Sequence, residues 1–460
     1  MDRERKKRIQ TIRLIITEVI MVVTVVVAVV ILTFIAMGYN VRNGELDQSG
    51  LVQIQSKPSG AVVQIDGEVM SARTGMSKML TAGEHRVQIS KKDYDTWEND
   101  IISKSGWLLR LDYPRLFYQN RTPEVLQEYP SDIEIFSTSP NREKIIYAIS
   151  SVKEWKILSI RGDNAEEKTI DIADLLAQHE ILSLKWSDNS DKILIKTAKD
   201  NNIEWIIVNT REPEKSVNLS QAFGMRFSEM DFANDIGERM LAVENGNLRS
   251  LMVNDKTVSQ ALASNVETFV LNGKDVVYLT NGHEIKLYQD GPDDILLSSY
   301  PLEQNIKISI GEYLSEKYLF VVSDRKIVAY KGDFPTKDDS LAEMEVALDT
   351  ELPFSPEIIQ TYTGNELFLM SSGKNIAVFD AELAKLSQYE IEDDKYFFLD
   401  GYMIATIGDG KMIVRDFDGT NRREITDATG GGTISRDDKY LYYYKTERGN
   451  TTILREKIIE

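Results

Sequence analysis

Three histidines, His85, His179 and His283, are the side chains best suited to acid–base or metal chemistry near neutral pH. No two of them share the His-x-x-x-His spacing that puts two imidazoles on one helical face. His85 belongs to an alternating strand pattern, and His179 and His283 read as surface residues in polar turns. No Gly-x-Ser-x-Gly elbow and no Walker loop occurs. Gly430-Gly431-Gly432 could wrap a phosphate, but no Lys-Ser or Lys-Thr follows it. A strand comes after it rather than a helix, so it reads as a turn that links repeats. The acids gather in SDNSD (187–191), GPDD (291–294) and SRDD (435–438), where Asp and Ser side chains build turns by bonding their own backbone. A glycosidase pair would need two carboxylates about 5–10 Å apart, a separation that linear spacing does not define. DFDGTN (416–421) spaces oxygens as a calcium loop does but lacks the remaining EF-hand ligands. The expected set of catalytic, cofactor-binding and metal-ligating residues is therefore empty, and no cofactor is expected.

Composition narrows the function further. The 460 residues carry a formal charge of -19, which argues against a nucleic-acid partner, since phosphate binding needs clustered Lys and Arg. Cysteine is absent, which excludes disulfides, thiolate metal sites and a lipid-modified N-terminal cysteine. The charge is also uneven. Arg3, Arg5, Lys6, Lys7, Arg8 and Arg13 outnumber Asp2, Glu4 and Glu18 in the first 40 residues, so the rest of the chain carries -22.

Elements must place these residues. Val19 to Gly38, VIMVVTVVVAVVILTFIAMG, has no charge and matches the ~20 residues that cross a hydrocarbon core. The sequence thus predicts a basic cytoplasmic stub at 1–18 and a transmembrane helix at 19–39. Arg42 is the one cation in the stretch that follows, so the positive-inside rule puts the N-terminus in the cytoplasm and the later residues outside. A cleaved signal peptide is the competing reading, although its apolar region would usually be ~7–15 residues. Residues 40–50 are polar, contain two glycines and read as a flexible linker.

Beyond the linker, short strands are expected near 51–56, 61–66, 77–80, 84–91 and 97–102, separated by Pro58-Ser59-Gly60, Asp66-Gly67, Thr74-Gly75 and Ala82-Gly83. The order Pro58-Ser59-Gly60-Ala61, Ile65-Asp66-Gly67, Thr74-Gly75, Gly83-Glu84-His85-Arg86-Val87, Tyr94 and Trp97 resembles the PEGA domain, over residues 51–103. Ser59 stands where that family has Glu, and Gly75 where Pro is usual. The resemblance implies a small extracytoplasmic β-sandwich of a prokaryotic surface protein, a spacer or binding unit with no catalytic residue.

From residue 131 a phrase recurs: an aromatic or apolar residue, Ser, an Asx-rich turn, then a β-rich strand. FSTSPNREKIIYAIS (136–150), LKWSDNSDKILIKTA (184–198) and GTISRDDKYLYYYKT (432–446) are its best copies, with weaker ones at 230–253, 269–290, 308–332, 358–380 and 397–419. The 35–50-residue spacing is that of propeller blades, and the phrases resemble TolB and WD-like repeats. The expected fold is mainly β: the transmembrane helix, the small PEGA sandwich, then a seven- or eight-bladed β-propeller at 131–460. An array of β-sandwiches is the other reading of the same strands. The C-terminal copy has three strands, and 104–130 reads as a connector whose strand near 116–128 completes the last blade. Gly106 to Leu109 and Tyr113-Pro114 are expected to seat the small domain on the propeller. Only 165–180 and 336–347 look helical or loop-like. Tyr442-Tyr443-Tyr444 are expected to fill cores between blades.

Together these features point to a non-enzymatic binding or scaffolding protein held in the membrane through Val19–Gly38, with an envelope protein or cell-wall polymer as partner and no nucleic acid. A surface hydrolase of wall glycan or peptide and a sensor working with a membrane partner are the alternatives.

Overall fold

The computed structural model describes residues 2–36, 39–42, 45–150, 154–291, 293–336, 341–361, 366–393 and 395–459. The chain is mainly β and forms two compact units, Met1–Gln119 and Asn120–Glu460.

The first unit begins with helix α1, Asp2–Ala36. The basic stub and the apolar run are therefore one continuous helix, while Met37 and Gly38 lie outside the described residues. Ile16–Phe34 is long and apolar enough to cross a membrane, with a mean hydropathy of 2.7. Its hydroxyls need no outside partner: Thr24 Oγ1 donates to the Ile20 carbonyl and Thr33 Oγ1 to that of Val29, each at 2.8 Å.

Eight strands follow: β1 Tyr39–Arg42, β2 Glu45–Ile54, β3 Val62–Ile65, β4 Glu68–Arg73, β5 Met76–Thr81, β6 Gly83–Ser90, β7 Trp97–Ser103 and β8 Leu108–Leu111. One sheet has the order β4-β3-β6-β7. In the other, β2 lies beside β5, with β1 and β8 also paired to β2. Val52, Ile54 and Leu111 from one sheet and Val63, Val87, Ile89 and Trp97 from the other fill the core. Asp66 and Gly67 both have positive φ, 50° and 85°, as a two-residue turn between twisted strands requires. Three expectations are corrected here. Residues 40–50 belong largely to β1 and β2 rather than to a linker, because their backbone groups pair with each other. β4 was not expected. The unit does not end at 103: β8 pairs in parallel with β2, and Leu116 N donates to Lys57 O, so 106–114 serve this unit's own sheet.

His85 closes one edge of this unit. Its Nδ1 lies 2.7 Å from Asp66 Oδ2 and its Nε2 2.8 Å from the Thr81 carbonyl. Both ring nitrogens thus face acceptors, an arrangement satisfied by the doubly protonated ring.

In the second unit, the described residues form eight antiparallel sheets, spanning 133–170, 180–218, 229–264, 266–299, 306–351, 358–390, 396–427 and 430–457, here numbered one to eight. Strand β9, Glu124–Tyr129, joins the eighth, pairing antiparallel with Asn450–Lys457. The bidentate Arg455–Glu124 pair, 2.7 and 3.0 Å, marks the end of that ladder. Apolar clusters join each sheet to the next from the first to the sixth. Tyr389 Oη to Phe417 O joins six to seven, and Ile434 N to Leu399 O joins seven to eight. A cluster containing Tyr147, Ile160, Tyr442 and Ile453 joins eight to one.

The recurring phrase is a turn of fixed design. Ser139, Ser187 and Ser435 each donate Oγ to the Asx two residues on and accept from the N–H five residues on. The residue three places on, Arg142, Ser190 or Asp438, has positive φ. Successive turns are tied together: Arg142 Nη1 meets Asp438 Oδ1 at 3.0 Å, Lys144 Nζ meets Asp191 Oδ1 at 2.9 Å, and Lys192 Nζ donates to Gly237 O.

Three local expectations change in this unit. Asn164–Ile170 is a strand, and the short helix Leu219–Phe223 was not anticipated. Gly430–Ile434 is the first strand of the eighth sheet rather than a linking turn. Its glycines are dictated by neighbours: a Cβ on Gly431, which also has φ +56°, would meet Phe136 at 2.4 Å.

Two outcomes are expected. Burial pulls the His85 imidazole down, but Asp66 and Thr81 outweigh it and its pKa is raised, while His85 and the Arg86 N–H lower that of Asp66. The stability His85 contributes is thus whole below the ordinary imidazole value and is lost as pH rises through the raised one. Asp66's share is present above the ordinary carboxylate value and is lost as pH falls through its lowered one. Calorimetry of the first unit's transition should show a decline toward alkaline pH of less than about 1 kcal/mol, given the exposure of Asp66. His85→Gln should remove that decline. Secondly, a chain starting at Asn120 should unfold cooperatively, and one starting at Ser131, without β9, should melt lower and more broadly. Equal melting of the two would sink the role given to β9.

Candidate functional site

The first strands of sheets two to six end at one place. Glu180–Trp186, Glu229–Phe232, Val266–Asn272, Ile306–Tyr313 and Ile358–Thr361 each deliver their last residue to the rim of a single cavity of 520 Å³. This volume is that of a small-molecule or side-chain pocket.

Each wall has its own chemistry. From sheet two come Lys185, Trp186 and, in the turn beyond, Asp188. Trp186 is buried and anchored to sheet one by Nε1 donating to Ser137 Oγ at 3.0 Å. From sheet three come Asp231 and Phe232, with Asp231 Oδ2 accepting from Lys185 Nζ at 2.6 Å. Sheet five supplies Gly311, Glu312, Tyr313 and Leu314. Gly311 permits a close approach, since a Cβ there would stand 2.6 Å from Phe368 of sheet six. Tyr313 Oη donates to Glu382. Leu314 and Ser315 form a two-residue turn with both φ values positive, 50° and 67°, a conformation that Asn-Gly adopts more readily. Leu314 is nonetheless 64% exposed at the cavity edge.

The carboxylates set the electrostatics. Asp188 reaches solvent but stands in a concave wall. Crowding by protein raises its pKa first, Asp235 and Asp231 raise it further, and Lys185 opposes them. With Asp188, Asp231 and Glu312 against Lys185, the mouth is net negative. It offers carboxylates, an indole and apolar faces together, which suits a polar or cationic ligand.

The structure does not bring the three histidines together. His85 is in the first unit. His179 is not a surface residue: its side chain is 2% exposed, with Nε2 3.2 Å from Glu204 Oε2 and Nδ1 3.0 Å from the Ala177 carbonyl. His283 Nδ1 faces the Pro301 carbonyl at 2.9 Å. The acidic turns hold backbone. Asp294 accepts from Gln289 N and Tyr278 Oη, and Asp418 accepts from Thr420 N, while Pro292 lies outside the described residues. Among the described residues no three His, Asp or Glu side chains are grouped to hold a metal ion. Tyr442 and Tyr443 are buried on opposite faces of their strand, Tyr443 bonding Glu456 of its own sheet and Thr426 of the seventh. Sequence reading placed Trp186 and Asp188 in a turn phrase and missed the cavity. The available signal was that each repeat phrase ends a first strand.

Residues 49–113 match the PEGA domain. No curated protein matches the sequence. Among solved structures, the chain is similar to PorZ, a surface component of the type-IX secretion system of Porphyromonas gingivalis, at 13% identity and a TM-score of 0.41, over 71% of this chain and 43% of that one. BamB from Moraxella catarrhalis gives 13% identity and a TM-score of 0.39, over 73% of this chain and 100% of that one. The WD40 domain of SCAP from fission yeast gives 11% and 0.40, over 74% and 98%. The chain thus spans less than half the length of PorZ.

Asp231→Asn removes one charge that raises the Asp188 pKa and leaves Lys185 without its partner. The Asp188 carboxyl, followed by carbon-detected NMR titration, should then titrate at lower pH. An unchanged midpoint would refute this electrostatic account.

Proposed function

We propose that this protein is a membrane-anchored, extracytoplasmic binding protein of a prokaryotic envelope that catalyses no reaction. Its second unit is read as an eight-bladed β-propeller. The observation that carries the proposal is the convergence of five consecutive first strands on one cavity, as the inner strands of radial sheets do around a channel. α1 serves as the anchor with its basic end in the cytoplasm, supported by the charge asymmetry about Ile16–Phe34. The PEGA match at 49–113 supports the extracytoplasmic side. The partner is an envelope protein or wall polymer, cationic or neutral, because both the -22 balance beyond residue 40 and the cavity carboxylates repel anions.

The raised Asp188 carboxyl favours a second reading. A carboxyl whose pKa is raised by burial and by the neighbouring carboxylates is the kind of group a hydrolase draws on as general acid. Full-length protein in detergent, incubated with envelope fractions, decides between them. Binding that weakens as salt shortens the Debye length below about 8 Å, and that weakens again in Glu312→Gln, is expected. Turnover of a wall glycan or peptide that Asp188→Asn abolishes would replace binding by hydrolysis.

A further inference from the structure

The outer face of the β2 sheet carries an apolar row where an outward face is ordinarily polar. Leu51 on β2 is directly opposite Met79 on β5 and Leu108 on β8, so the three side chains stand on one face. They are 37%, 44% and 37% exposed, and Trp107 at the head of β8 is 58% exposed. Val52, Ile54, Leu109 and Leu111, the alternate residues, fill the core, so this row is surplus to the unit's own packing.

The backbone holds the row in place. Leu51 N donates to Trp107 O at 2.9 Å and Gly106 N to Ser49 O at 3.0 Å, which lays the 104–107 turn on β2. Gly50 admits that turn, since a Cβ there would meet Lys104 O at 2.4 Å. The Lys104 ammonium lies 5.3 Å over the Trp107 ring.

Topology then places the row near the helix. Ala36 and Tyr39 are three residues apart, at most about 11 Å. β1 leaves that point, and β2 returns antiparallel, with Gln48 opposite Tyr39. β2 therefore runs back past Tyr39 on the side where α1 arrives, and Leu51 lies about 10 Å further on. An apolar row with an exposed indole and a lysine, level with the end of a membrane-length helix, has the composition of an interfacial anchor.

We propose that Trp107, Leu108, Leu51 and Met79 rest in the headgroup region of the bilayer that α1 crosses, and so hold the PEGA-like domain against the membrane surface. This rests on the membrane reading above. The test uses full-length protein reconstituted in phosphatidylglycerol–phosphatidylcholine vesicles, with and without lipid brominated near the headgroup end of the acyl chain. Of the five tryptophans, Trp97, Trp155, Trp186 and Trp205 are buried, so quenching by the bromines reports on Trp107. A partial loss of emission, up to the share of one tryptophan in five, is expected, and Trp107→Phe should abolish it. Leu51→Glu, which keeps the indole, should reduce it and raise acrylamide access. Protein that stays with the vesicles through alkaline carbonate washing but shows no quenching overturns the inference alone. Protection from both bromine and acrylamide means a protein covers the row and also overturns it. Protein that washes off removes the membrane reading and the inference with it.

Discussion

The pairing of Glu124–Tyr129 with Asn450–Lys457 joins residues more than 300 positions apart, and the order of the second unit depends on it. Without it the eighth sheet has three strands, and the outer edge of Asn450–Lys457 is left unpaired. The eighth sheet packs Tyr442 and Ile453 against the first, with Leu126 and Tyr129 of β9 against the same cluster. The Arg455–Glu124 pair adds register at this seam more than energy, since Glu124 is exposed.

The Ser–x–Asx turns extend the same constraint around the unit. Each satisfies its own backbone through one hydroxyl and one carboxyl or amide oxygen, and then passes a cation to the next turn. Acidic residues that look in sequence like candidate catalysts are thereby occupied as structural acceptors. The turn at Ser187 follows the end of Glu180–Trp186, one of the five strands that reach the cavity rim. Trp186 illustrates the coupling: its indole is anchored to sheet one while its face lines the cavity beyond sheet two.

The first unit solves a different problem. With few residues, it fills its core from alternate positions on two sheets and places Trp97 at the centre. The remaining apolar positions on β2, β5 and β8 are left facing outward, which a domain of this size can tolerate when another apolar phase meets them. His85, Asp66 and Thr81 hold the opposite kind of contact, a charged clasp between a hairpin turn and a strand end.

The N-terminal apolar helix, the Asp66-Gly67 turn and the repeat period were legible in the sequence because each depends on neighbours a few residues away: hydropathy over one span, φ > 0 at one turn, alternation along one strand. The sequence also marked the orphan strand before residue 130, since a three-strand final copy implies a missing fourth. What escaped it depended on contacts between distant segments. β1 and β8 look like linker because their pairing partner is β2, not each other. Gly430–Ile434 looks like a turn because its glycines answer to Phe136, Met412 and Tyr444 from elsewhere in the chain. His179 looks exposed because its partner Glu204 lies 25 residues on, on a later strand. The cavity was illegible for the same reason: Asp188, Asp231, Glu312 and Thr361 share no local pattern, and only the meeting of five first strands brings them to one rim.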